Sequence, residues 1–208
     1  MILPTLLLLL HLNSPALVEQ ATDRMIASDS LAASQTLLIP FRGEIERAAI
    51  QHALPPALIA AVIQEESRFD EWATRAEPRY FRNRKVRHAA IRYARAHRAG
   101  PTAFTELAGR AQSYGLMQIM GETAREQGFD RPFLAELYLP RNAVAHGAML
   151  LKRLIARYRN DTLSAISAYN QGSARKKRGV FANARYVYRV VVAWKAYDAL
   201  FSNGGAIQ

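Results

Sequence analysis

A carboxylate on an apolar helix face is the side chain of this sequence best placed for chemistry. In the run Leu54-Pro55-Pro56-Ala57-Leu58-Ile59-Ala60-Ala61-Val62-Ile63-Gln64-Glu65-Glu66-Ser67-Arg68-Phe69, Ile59, Val62 and Ile63 recur at helical spacing. Glu66 takes the next position on that stripe, and Glu65 lies one step round, closer to solvent. A carboxyl held against an apolar wall resists ionisation, so its pKa rises. That property suits a general acid that protonates a glycosidic oxygen near neutral pH. The segment also fits a second reading, a glutamate that ends an ordinary helix and is neutralised by a nearby arginine. Other reactive arrangements are missing. The chain has no cysteine, which excludes disulfides, thiolate metal sites and a cysteine nucleophile. His52, His88, His97 and His146 lack close metal-ligand spacing with carboxylates, and His11 falls in the apolar start. No metal and no cofactor is expected.

The elements that would position Glu66 are helical. The Pro55-Pro56 pair suits a helix start, where N–H donors have no partner within the helix. Leu38-Ile39-Pro40 reads as a break, and Ile45 with Ala49-Ile50 suggests a helix leading into that start. The segment 89–99 is expected to be a helix stopped by Gly100-Pro101. Gly115-Leu116-Met117-Gln118-Ile119-Met120-Gly121 reads as a tight turn near other backbone, with helix from Thr123. From Asn142, Val144, Gly147-Ala148, Leu151 and Leu154-Ile155 form a strong amphipathic pattern, in which Gly147 allows close helix contact. Asp161 is a good N-cap for the next helix and Gly172 its stop. Arg175-Lys176-Lys177-Arg178 reads as an exposed basic loop. A last helix is expected over 186–201, with Val187, Val190, Val191, Trp194 and Tyr197 on one side. Alternating β-branched runs are scarce, so the fold class is all-α with short connections.

At 208 residues and 50% hydrophobic, the chain can bury a core and form one domain. With 28 Lys+Arg against 17 Asp+Glu, its net charge of +11 favours an anionic partner. Nucleic acid, anionic lipid and acidic cell-wall polymer all qualify. Much of the excess sits in residues 73–112, where Arg79, Arg82, Arg84, Lys85, Arg87, Arg92, Arg95 and Arg98 crowd together with His88 and His97. That stretch is either a solvated basic face or a clamp on an anionic polymer. Tyr80, Phe81 and Tyr93 either line a groove there or pack a core. The start, Met1-Ile2-Leu3-Pro4-Thr5-Leu6-Leu7-Leu8-Leu9-Leu10, is too short to span a bilayer comfortably. It resembles the apolar core of a secretory signal over residues 1–20, with Ser14-Pro15-Ala16 as a cleavage candidate, although basic residues before the run are missing. The alternative is a buried N-terminal helix.

Several segments match one family in order: Glu66-Ser67-x-Phe69, Gly115-Leu116-Met117-Gln118-Ile119, Asn142 with Gly147 and Leu150-Leu151, Ala168-Tyr169-Asn170-Gln171-Gly172, and Tyr186-Val187. Together they resemble the catalytic domain of the soluble lytic transglycosylases, a lysozyme-like fold that cleaves peptidoglycan. The resemblance covers a core of residues 54–200 within a domain over 21–208. It implies that Glu66 acts as acid and then base at the bond between N-acetylmuramic acid and N-acetylglucosamine, giving a 1,6-anhydro product. It also implies a substrate site at Ser67, Gly115, Gln118, Met120, Tyr169 and Asn170. Tyr169 would bring its hydroxyl close to Glu66, and Gln118 would offer its amide to acetamido groups. From the residues alone, Ser67 reads equally as a helix-end hydroxyl bonded to backbone, Met120 as core filling, Tyr169 as a buried aromatic and Asn170 as a helix-end residue. The implied partner is the peptidoglycan glycan strand, with no nucleic acid, no stable membrane span and a monomeric chain. The implied location is the periplasm or cell envelope, or a virion.

The chain departs from the family pattern at three places. Gly121 follows Met120 where proline is usual, so a looser turn is expected. The gap between Glu66 and Gly115 is long, which makes residues 73–112 an Arg-rich helical insertion. Phe181-Ala182-Asn183-Ala184-Arg185 supplies no acid before Tyr186. A hydrolase on the same scaffold would need a water held opposite Glu66, for which Asp70 and Glu71 are nearest in sequence. A basic binding or structural protein is the non-enzymatic alternative.

Overall fold

The computed structural model describes residues 39–203, so the apolar leader at 1–20 lies outside the described residues. Helix α1, Arg42–His52, closes through Ala53, whose backbone is left-handed at φ +49°. Pro55 is extended and Pro56 opens helix α2, Pro56–Glu66, as the proline pair predicts. Ile45 in α1 is buried, but Ile50 is 84% exposed, so α1 docks through its alanines instead. Helix α2 differs from the expected stripe as well. Every residue from Ala57 to Ile63 is buried, because the helix runs through the core rather than along its surface. Glu65 and Glu66 are where it emerges.

After α2 the chain turns sharply, with Arg68 and Phe69 both left-handed. It then enters a small antiparallel sheet of β1 (Thr74–Ala76), β2 (Gln112–Tyr114) and β3 (Ile119–Met120). Arg75 pairs with Ser113, and Ser113 with Met120. Strands of two and three residues are too short to show the alternation that marks a strand in sequence.

Between β1 and β2 lie α3 (Arg79–Arg82), α4 (Arg84–Ala96) and α5 (Ala103–Arg110). Helix α4 starts five residues before the expected 89–99. Asn83 Oδ1 accepts from the Lys85 and Val86 N–H groups and caps the earlier start. Residues 73–112 carry internal framework as well as charge. Glu106 on α5 is 1% exposed and is held by Arg110 at 2.9 Å and Arg125 at 2.8 Å.

Helix α6, Gly121–Glu126, follows β3 directly. The expected looser turn at Gly121 is a tight one. A Cβ there would stand 2.2 Å from the Gly109 carbonyl, so α6 starts against α5 backbone that no other residue could approach. A short 3₁₀ turn, Leu134–Tyr138, leads to α7, Pro140–Arg157. Gly147 on α7 does allow a close approach, but its neighbour is the Met117 side chain rather than another helix. Asp161 caps α8, Thr162–Gln171, and Gly172 ends it at φ +80°, both as expected. The basic loop is instead a hairpin of β4 (Lys176–Lys177) and β5 (Val180–Phe181). Arg178 and Gly179 both adopt positive φ at its turn. Helix α9, Ala184–Asn203, packs along α2 in the most extensive helix pair of the fold. The described chain is therefore predominantly helical, and from Pro40 on it forms one compact unit. Among the described residues no helix is long and apolar enough to cross a membrane.

Candidate active site

Glu66 is the last residue of α2 and opens onto a cleft of about 320 Å³. Gln118, Met120, Tyr169 and Asn170 line the same cleft, together with Arg75 from β1. Residues far apart in sequence meet because β1 and β2 fold the glycine turn back over the end of α2, while α8 ends on the opposite wall.

The carboxyl of Glu66 is surrounded mainly by protein, and burial pushes its pKa up to about 7. Three weaker influences act on it. The Tyr186 hydroxyl donates to Oε1 at 2.7 Å and favours the carboxylate. The Arg75 charge acts in the same direction, and the neighbouring Glu65 opposes both. Glu65 itself is paired with Arg189 of α9. The two adjacent acids are thus separated in role by what α9 offers each of them, a guanidinium to Glu65 and a phenol to Glu66.

Two of the expected site residues stand behind the cleft rather than on it. The Ser67 hydroxyl is shared between the Leu116 carbonyl at 2.8 Å and the Ile63 carbonyl at 3.2 Å. It ties the end of α2 to the glycine turn. Gly115 has φ +61°, and its N–H donates to the Ala73 carbonyl at 2.8 Å. An added Cβ would meet the Leu137 carbonyl at 2.8 Å.

Gln118 is on the cleft, but both donors of its amide are occupied. Nε2 donates to the carbonyls of Ala73 at 2.8 Å and Gly115 at 3.0 Å, and Oε1 accepts from Ser113 Oγ at 2.7 Å. These bonds hold a residue whose backbone is left-handed at φ +46°. What Gln118 has left for a ligand is acceptor capacity on Oε1.

Tyr169 projects from α8, and its hydroxyl donates to the Met117 carbonyl at 2.8 Å. Burial raises its pKa well above the ordinary value, and the charge of Glu66 adds to this, so it remains a neutral phenol. Asn170 accepts from Asn183 Nδ2 at 3.0 Å. Asn183 also takes the Ser167 hydroxyl at 2.7 Å, and so joins the end of α8 to the start of α9. An amide thus does the joining in the stretch where the family resemblance leads one to expect an acid.

The structure adds two residues that the sequence reading did not single out. Tyr186 appeared only as part of a motif and as the start of an apolar stripe, with no sign that its hydroxyl reaches Glu66. Arg75 had no local signal at all, because its place on the cleft follows from the pairing of β1 with β2. Asp70 and Glu71, the nearest acids in sequence, are not among the residues lining the cleft. Asp70 accepts from the Trp72 N–H at 2.9 Å instead. The other cleft carboxylates are Glu77, paired with Arg75 and Arg79, and Glu126.

The arrangement can deliver a proton near neutral pH from one side of a groove and stabilise the carboxylate left behind. The family model of the transglycosylase SLT domain matches residues 44–186. No curated protein matches the chain.

Proposed function

Since the chain belongs to the transglycosylase SLT domain family, and so to proteins that act on peptidoglycan, we propose that it is a lytic transglycosylase with Glu66 as its single acid and base. One observation carries this reading: Glu66 meets the cleft with its pKa raised to about 7. A resting enzyme at neutral pH then holds a large share of Glu66 protonated, as the first step requires.

In that step Glu66 gives its proton to the oxygen linking N-acetylmuramic acid to N-acetylglucosamine. The C1–O bond breaks, and the bonding pair leaves with that oxygen. The muramyl N-acetyl group stabilises the oxocarbenium-like carbon, a substrate-assisted variant of glycosidic cleavage. Glu66 is now a carboxylate, and the Tyr186 O–H and the Arg75 charge favour that form. It next takes the proton of the muramyl C6 hydroxyl as that oxygen bonds to C1. The 1,6-anhydro ring closes, Glu66 is reprotonated, and no water is consumed. An internal nucleophile needs a rigidly held sugar rather than a captured water. The remaining acceptor capacity of Gln118 Oε1 and the walls at Met120 and Tyr169 supply such a seat. A wall substrate also implies that the chain works in the cell envelope or reaches it from a virion.

The test is product mass. Muropeptides released from purified sacculi are expected to be one water lighter than hydrolytic products and to lack a reducing muramyl end. Reducing ends throughout would make the enzyme a muramidase on the same scaffold.

A further inference from the structure

The eight cations between Arg79 and Arg98 are arranged in an order that the cleft chemistry does not require. No acidic residue occurs from Pro78 to Ala99. Arg79 approaches Glu77 at 3.5 Å, but the other seven have no carboxylate partner within 4.0 Å among the described residues. On α4 the buried face is Val86 and Ala90. Arg84, His88, Arg92 and Arg95 fall on the opposite face, at steps of four, four and three residues. The result is an exposed cationic line along a helix about 20 Å long.

This line is rigidly mounted. Tyr93 of α4 lies under the Arg125 guanidinium at 3.9 Å and stacks on His97, also at 3.9 Å. Arg125 in turn is fixed by Glu106. It is also continuous with the cleft, because Arg75, Arg79 and Tyr80 of the same segment form part of the cleft lining. A strand that left the cleft on the Arg79 side would meet the start of α4 within a few residues.

We infer that the exposed face of α4 is a subsite for the carboxylates of the peptide stems that flank the cleaved bond. The inference rests on the proposed action at a glycan strand and adds a second contact outside the cleft. The planar fork of a guanidinium pairs with a carboxylate through two parallel hydrogen bonds, so little freedom is lost per bond formed. Several such contacts to one polymer also raise its effective concentration at Glu66.

The experiment uses the full chain carrying Glu66→Gln, so that the polymer is bound without being cut. Teichoic-acid-free sacculi are offered native or with their carboxylates capped by a neutral amine. One variant carries Arg84→Gln, Arg87→Gln, Arg92→Gln and Arg95→Gln. A control removes the same number of charges from the hairpin through Arg175→Gln, Lys176→Gln, Lys177→Gln and Arg178→Gln. The helix variant is expected to bind native sacculi about tenfold more weakly at low salt, with a flatter salt dependence. The hairpin control should lose less than half of that on a logarithmic scale, and capped sacculi should not distinguish the helix variant from its parent. Equal losses from the two variants, an undiminished deficit on capped sacculi, or a larger deficit on duplex DNA or anionic vesicles would overturn the inference. Cleavage of capped sacculi by the chain with Glu66 intact is read separately. Its loss on native and capped sacculi alike would count against the transglycosylase reading and leave the binding result standing.

Discussion

Two glutamates sit in protein surroundings here, and their partners differ. Glu106, 1% exposed, lies between the guanidiniums of Arg110 and Arg125, and Arg110 goes on to Glu122 at 2.7 Å. Every charge in that cluster is met by an opposite one. Glu66 has a phenol at 2.7 Å, an exposed Arg75 and a like charge beside it, and its pKa rises to about 7. A glutamate matched by fixed cations serves as a fastener between α5 and α6. A glutamate given only a neutral donor keeps both protonation states within reach, as acid–base chemistry demands. Burial alone does not distinguish a fastener from a proton donor. The nearest partner does.

The comparison breaks first if Glu66 is not the proton donor. Glu66→Gln should lower the rate of sacculus solubilisation by about 10³-fold while sedimentation with sacculi persists. Comparable lysis by the variant would remove Glu66 from the chemistry. At Glu106 the same isosteric change should act on stability instead. Glu106→Gln leaves Arg125 buried without its carboxylate and should cost about 3 kcal/mol in urea unfolding, with turnover per folded molecule unchanged. A loss of activity without a loss of stability would overturn that division of roles.

A subtler test concerns the phenol. Tyr186→Phe removes a donor that favours the Glu66 carboxylate, so the pKa of Glu66 should rise further. Because the protonated acid starts the reaction, activity should fall as pH rises through about 7, and the variant should shift that alkaline limb upward. The carboxylate intermediate is also less stabilised, so the maximal rate should drop about tenfold. An unshifted limb would show that the hydroxyl positions Glu66 without tuning it.

The smallest effect belongs to a third class, half-buried imidazoles that take part in no ion pair among the described residues. His52 Nε2 and His146 Nδ1 are buried without a hydrogen bond among the described residues. Burial lowers the pKa of both rings below 6.5. The folded state therefore binds fewer protons than the unfolded chain, and stability should decline as pH falls below about 6.5. A loss of about 1 kcal/mol between pH 7 and pH 5 in denaturant melts is expected, and a flat profile would refute it.

What the sequence revealed of this site follows distance along the chain. The helix ending at Glu66, the Asp161 cap and the Gly172 stop depend on neighbours within a few residues, and they are legible. The helical stripe led to Glu66, which does end α2 and line the cleft, although α2 is buried along its middle on all sides, because periodicity senses the exposed end of a helix better than a fully enclosed middle. The early start of α4 was missed at Asn83, a cap partly hidden by the surrounding arginines. Contacts across more than a hundred residues, such as Tyr186 to Glu66, leave no local trace. The occupied amide of Gln118 could not be seen either, since its partners Ala73, Ser113 and Gly115 lie on or directly beside β1 and β2, strands too short to announce themselves.

The glycine turn hangs from two hydroxyls, one just past the end of α2 and one on α8: Ser67 holds the Leu116 carbonyl and Tyr169 the next one, at Met117. Successive peptide groups are thereby anchored from two sides, one behind the groove and one on its wall. For anyone recombining related chains, residues 66–67, 113–121 and 147–169 form a single inheritance unit. Grafting the turn alone from a homologue would import a backbone whose moorings stayed with the donor.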